Sequence, residues 1–108
     1  MEYPVKRFSC VLLLVFCAAS AHALDIGNYV VRQTNTLKNY TIPAGTIVDP
    51  GDYVVIGRSA SQAQFETYWG STLPTNIGYL NGANNFPKID GQERFSLLNA
   101  GNTNIDGL

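Results

Sequence analysis

Apolar residues in this chain come in short runs, and turn-forming residues separate them. "NYVVRQ", Asn28 to Gln33, is rich in β-branched and aromatic types and reads as a strand. "TNTLKN" follows as a polar turn, and "YTI" is a brief strand ended by Pro43. Ala44-Gly45 can supply the positive φ of a tight turn, "TIV" resumes the extended pattern, and Asp49-Pro50-Gly51-Asp52 turns again. "YVVIG", Tyr53 to Gly57, is almost continuously apolar, which predicts a central, well-covered strand. Farther on, "IGYL" reads as a strand and "NGANNFP" as a loop that Gly82 and Pro87 keep irregular. Asp90-Gly91 is a tight-turn pair, "RFSLLN" fits a strand with one covered face, and "NAGNTN" turns before Ile105. Short strands joined by tight turns are the pattern of an all-β sandwich.

One segment breaks this rhythm. In "SASQAQFETYWG", Ser61 and Gln64 stand three apart as a capping box, with Ser59 and Gln62 as a second register. Gly70 is placed just past the helix end. Phe65, Tyr68 and Trp69 fall at i, i+3 and i+4 and form one aromatic stripe. Such a stripe can serve as a stacking platform for a sugar or a partner, or it can close one end of a small core. Helical spacing favours the core.

The first stretch stands outside the fold. "MEYPVKRFSCVLLLVFCAASAHA" starts basic with Lys6 and Arg7, runs apolar from Phe8 to Ala19, and ends in Ala21-His22-Ala23. That pattern reads as a signal peptide over residues 1–23, and the apolar run is short for a membrane span. An uncleaved anchor is the competing reading. A lipid anchor on Cys17 is disfavoured by Phe16, because a small residue is wanted there. Cys10, Cys17 and His22 all leave with this segment, so the processed chain has no disulfide, no thiolate and no imidazole. A histidine-based triad or zinc site within one processed chain is thereby excluded.

From Leu24 onward five basic residues face seven acidic ones, a balance of −2 with no cluster of one sign. Nucleic acid is therefore a disfavoured partner. The carboxylates of Asp49 and Asp52 flank one turn, and those of Asp90 and Glu93 another. A glycosidase would need two carboxylates converging across a cleft, whereas turn-flanking acids ordinarily cap backbone groups. "NTNIDG", Asn102 to Gly107, has the outline of half an EF-hand loop, but its first position is neutral and the closing glutamate has no counterpart. Asn39-Tyr40-Thr41 is a formal N-glycosylation sequon. The Asn-rich loops could hydrogen-bond sugars, although turns select Asn and Gly in any case.

Taken in order, "DIGNYVV", "YTIPAGTIVDPGDYVVIG", "FETYWG", "GYLNG" and "IDGQERFSLLNAGNTNIDG" resemble the lamin-tail domain. The matching signals are the Asp25-Ile26-Gly27 start, a hairpin from Pro43 through Ile56, and Leu97 to Asp106 with its Asn/Gly turn and Ile-Asp pair. Two early elements of that family, an Ile-Asn-Glu and a Trp-Ile-Glu-Ile pattern, have no counterpart, and the strand expected after Asp106 is cut short at Leu108. The chain is accordingly expected to be a fragment, or to complete its sandwich with a partner. The resemblance implies an all-β, partial immunoglobulin-like β-sandwich with one short helix, over residues 24–108. Together with the signal-peptide pattern of residues 1–23, it leads to the expectation of a secreted or extracellular/periplasmic, non-enzymatic module for surface attachment or protein interaction. The alternative is a carbohydrate-binding accessory module of a secreted hydrolase. No catalytic, cofactor-binding or metal-binding residue is assigned, and no cofactor is expected. The expected partner is a protein or a cell-surface or extracellular component, with a glycan as a further option; membrane contact is confined to export.

Overall fold

The computed structural model of the protein describes residues 11–12, 22–34, 38–89, 91 and 93–107. Of residues 1–23, read above as a signal peptide, only Val11–Leu12, His22 and Ala23 are described; both cysteines lie outside the described residues, as does Asp90 of the Asp-Gly turn. The described chain is mostly strand, in largely antiparallel sheets, with one short α-helix. In order, the strands are β1 (Val11–Leu12), β2 (Leu24–Asp25), β3 (Val30–Gln33), β4 (Lys38–Thr41), β5 (Ile47–Val48) and β6 (Tyr53–Gly57). After helix α1 (Gln62–Trp69) come β7 (Ile77–Asn81), a 3-10 turn over Ala83–Asn85, β8 (Phe95–Leu98) and β9 (Asn104–Asp106). They form a sheet ordered β4-β3-β8-β9, a sheet ordered β1-β6-β7 and the pair β2-β5.

The turns do not produce the hairpin expected from Pro43 through Ile56. β5 pairs with β2 rather than with β6, and β6 runs parallel to β7. What the Pro43–Gly45 turn builds is a corner in one long antiparallel ladder. β3 lies against β4, Asn28 N–H then donates to Ile42 C=O at 2.8 Å, and Ile26 N–H to Thr46 C=O at 2.9 Å before β2 meets β5. One residue, Gly27, stands opposite three, Pro43 to Gly45, so this strand pair must bend. The bend uses positive φ at Asn28 (66°) and Gly45 (83°), and Thr46 Oγ1 donates to Pro43 C=O at 2.7 Å. Gly27 passes so close to the Ala44–Gly45 backbone that a Cβ would stand 2.7 Å from Gly45 N. The Asp-Ile-Gly and Pro-Ala-Gly signals, distant in sequence, are thus two sides of one corner.

The apolar run of β6 behaves as its pattern predicts: Val54, Val55, Ile56 and Gly57 are all buried between β1 and β7. Val54 and Ile56 join Ile26, Val31, Tyr40, Ile42, Val48, Phe86 and Leu97 in one cluster drawn from all three sheets. Phe86 is its hub. The ring is wholly buried, lies 5.4 Å from that of Tyr40 and 6.3 Å from that of Phe95, and its carbonyl accepts from Arg58 Nε at 2.8 Å. Burial pushes the Tyr40 phenol up from its ordinary pKa.

β8 departs from the expectation of one covered face. Ser96, Leu97 and Leu98 are buried in succession, so side chains on both faces are covered, while β3 and β9 pair with its two edges. The tail also forms more structure than expected: Asn104–Asp106 is itself a strand, closing a hairpin on β8. Asn99 makes that turn, its Oδ1 accepting from Gly101 N–H and Thr103 N–H at 2.9 Å each.

Candidate functional site

The helix carries the surface with most to offer. Its ends follow from sequence. Ser61 is the N-cap, its hydroxyl accepting from Gln64 N–H at 3.2 Å while Gln64 Oε1 accepts from Ser61 N–H at 2.9 Å. Gly70 ends the helix in the left-handed region at φ 69°, its N–H directed to the last carbonyls. The Ser61 register is therefore the one used.

The aromatic stripe does not close the core as expected. Phe65 is buried, Tyr68 is half-buried, and Trp69 is 56% exposed. The physical reason lies in what meets each ring. Phe65 faces Tyr79 on β7, centroids 5.4 Å apart, and this contact uses up the inward side of the helix. Trp69 meets the rings of Phe65 at 6.2 Å and Tyr68 at 5.2 Å, the latter edge to face, and more than half of its surface meets solvent.

The stripe is nonetheless firmly seated. Tyr79 Oη donates to Ala60 C=O at 2.6 Å, which anchors the ring beneath Phe65. Gly57 makes room for that hydroxyl; a Cβ there would collide with it. The column Gly57–Tyr79–Phe65–Trp69 thus runs from the buried strand β6 to the surface. Nothing local in the sequence marks it, because β6, α1 and β7 meet only in three dimensions.

Beyond the helix C-terminus, Glu66 fixes the following loop. Its Oε2 accepts from Leu73 N–H at 2.9 Å and from Gln62 Nε2 at 3.1 Å. The Leu73 bond, then the Gln62 bond, hold the Glu66 carboxyl below the usual carboxylate range. Open grooves flank the outer face of α1. One of about 470 Å³ is lined by Ser59, Ala60, Ala63, Gln64, Thr67 and Tyr68 and is mostly apolar. A second borders Ala63, Thr67 and the Gly70–Thr72 loop. Elsewhere, a polar groove of about 490 Å³ brings Lys38, Asn39 and Thr41 of β4 beside Asn84 and Asn85.

The remaining sequence candidates are placed as follows. Asp49 and Asp52 belong to one turn, with Asp52 N–H donating to Asp49 C=O at 3.0 Å. Glu93 Oε1 accepts from Gly91 N–H at 3.0 Å, a local backbone cap. In the EF-hand-like stretch, Asp106 lies in β9 opposite Leu97, and Asn104 Nδ2 donates to Gly107 C=O at 3.0 Å. Among the described residues no three His, Cys, Asp or Glu side chains gather at metal-binding distance, and no helix is long and apolar enough to cross a membrane. Asn39 of the sequon is exposed on the edge strand β4, its Oδ1 accepting from Arg32 Nε at 3.1 Å. No family model matches the chain, and no curated protein matches it.

Proposed function

We propose that this protein is a secreted, non-enzymatic binding module of lamin-tail type, built on a partial immunoglobulin-like sandwich and released by cleavage after Ala23. It would serve in attachment to a surface or to another protein. The observation that supports a binding role is Trp69: a half-exposed indole, held by a column of aromatic contacts that reaches the buried strand β6. Large aromatic side chains fixed before binding make strong contact points, since little rotamer freedom remains to be lost. The adjoining groove is mostly apolar, lined by Ala60, Ala63 and the Tyr68 ring with few polar groups. That chemistry suits a protein partner at the cell surface or outside the cell. The dispersed, slightly acidic charge argues against nucleic acid.

A second reading has its own observation. The exposed Trp69 ring also fits a sugar-stacking face, and Lys38, Asn39, Thr41, Asn84 and Asn85 gather amide, hydroxyl and ammonium groups in one groove, so a glycan is the alternative ligand.

Trp69 is the only tryptophan, so its fluorescence reports this site alone. Purified protein is titrated with soluble polysaccharides and, separately, incubated with whole cells treated beforehand with protease or with glycosidases. The protein-directed reading expects cell binding that is lost after protease treatment and in Trp69→Ala, with no saturable quenching by polysaccharides. Saturable quenching by one glycan, with cell binding abolished by glycosidase, would replace it with the sugar reading. Substrate turnover abolished by neutralising one acidic side chain would overturn both.

A further inference from the structure

The sheet edge beside β6 is covered by the chain's own leader. Val11–Leu12 pairs antiparallel with β6, Val11 opposite Gly57 and Leu12 opposite Ile56. On the other side, Tyr53 N–H donates to Asn76 C=O at 3.1 Å and Gly57 C=O accepts from Gly82 N–H at 2.7 Å, so the odd-numbered residues of β6 bond toward β7. Backbone groups alternate sides along a strand, which directs the N–H and C=O of Val54 and Ile56 toward the edge where the leader lies.

Uncovered, these groups face water and stand open to pair with another strand, as at any sheet edge. Departure of Val11–Leu12 uncovers this strand edge. The described residues that pair there, Val11 and Leu12, are both uncharged and aliphatic.

We infer that the β6 edge is a strand-accepting binding site, masked by Val11–Leu12 in the unprocessed chain and opened when the leader is removed. Its ligand is an extended, uncharged aliphatic segment of a partner polypeptide, added antiparallel along Val54 to Gly57. Main-chain hydrogen bonds supply the affinity of such strand addition, and the absence of charge on this part of β6 selects aliphatic partners. The unmasking rests on the export reading, whereas the accepting edge does not. The site is also separate from Trp69, so either can fail without the other.

The test uses the full chain with a specific protease site inserted between Ala23 and Leu24, and follows amide hydrogen exchange by NMR. Before cutting, the Ile56 amide exchanges slowly. Cutting, or Leu12→Pro in the uncut chain, should speed Ile56 exchange by about tenfold or more while Val55, bonded toward β7, stays protected. A soluble peptide with Val-Leu at its centre should then restore Ile56 protection saturably, and one with Pro in place of Leu should not. Continued protection of Val55 shows that the cut or substituted chain is still folded. The inference is overturned if Ile56 stays protected in the monomeric cut chain, or if the aliphatic peptide restores nothing. A cut chain that sediments as a dimer, with Ile56 protected before peptide is added, would assign the edge to a second copy and also overturn it.

Discussion

Gly57 illustrates how one missing side chain supports a surface many ångströms away. Its φ is not in the left-handed region, so its value lies in space, which the Tyr79 hydroxyl occupies. Gly57→Ala must push Tyr79 off the Ala60 carbonyl or away from Phe65. We expect a loss of about 1–3 kcal/mol in urea unfolding, as for overpacked cores. Combined with Tyr79→Phe, the loss should fall short of the sum, because both changes strike one contact. Glu66 gives a prediction of different kind. Its folded-state pKa lies below that of the unfolded chain, so its hold on Leu73 is present above the ordinary carboxylate range and is lost as pH falls through the lowered value. Acid titration should move the Leu73 amide resonance with the Glu66 carboxyl, and Glu66→Gln should abolish that pH dependence. Failure of the two to move together would remove the carboxylate from its role in fixing this loop.

At the scale of elements, helix α1 was the most legible piece. Capping box, left-handed Gly70 and length all follow from local residues, because caps are made within four positions of each other. Ser61→Ala should therefore cost about 1 kcal/mol by denaturant melt, whereas Ser59→Ala removes the hydrogen bond to Asn84 Oδ1 and leaves the helix cap in place. The strands were legible as extended runs but not as partners. Pro43–Gly45 and Asp49–Asp52 read equally well as hairpin turns, yet both pass the chain between sheets, and β5 bonds to β2. Which strand lies opposite depends on Gly27 meeting Ala44 and on β7 returning beside β6, contacts that no short window contains. The same limit explains the aromatic stripe. Periodicity puts Phe65, Tyr68 and Trp69 on one side of the helix, but the width of the neighbouring sheet decides how many of them it covers.

Across the whole molecule, the core and the candidate binding surfaces are separable. Among the described residues the core cluster spans Ile26 to Leu97 and does not include Trp69. Trp69→Ala should therefore change unfolding free energy by only about 0.5 kcal/mol while removing partner binding, because it truncates an exposed ring. A large destabilisation in that variant, measured by thermal or urea melt, would make the indole a structural part instead. The helix face would act through side chains and the β6 edge through main chain, with Gly57 common to both.

The sequence by itself determined the extended runs, the capped helix, the apolar strand at β6 and the lack of His and Cys from Leu24 to Leu108. These properties are local or compositional, set by backbone preference and residue type within a few positions. Only the tertiary structure decided strand partnership, the corner at Gly27, the exposure of Trp69 and the docking of Val11–Leu12 on β6. Those depend on which surfaces remain after other segments have packed, and a linear pattern carries no record of that competition.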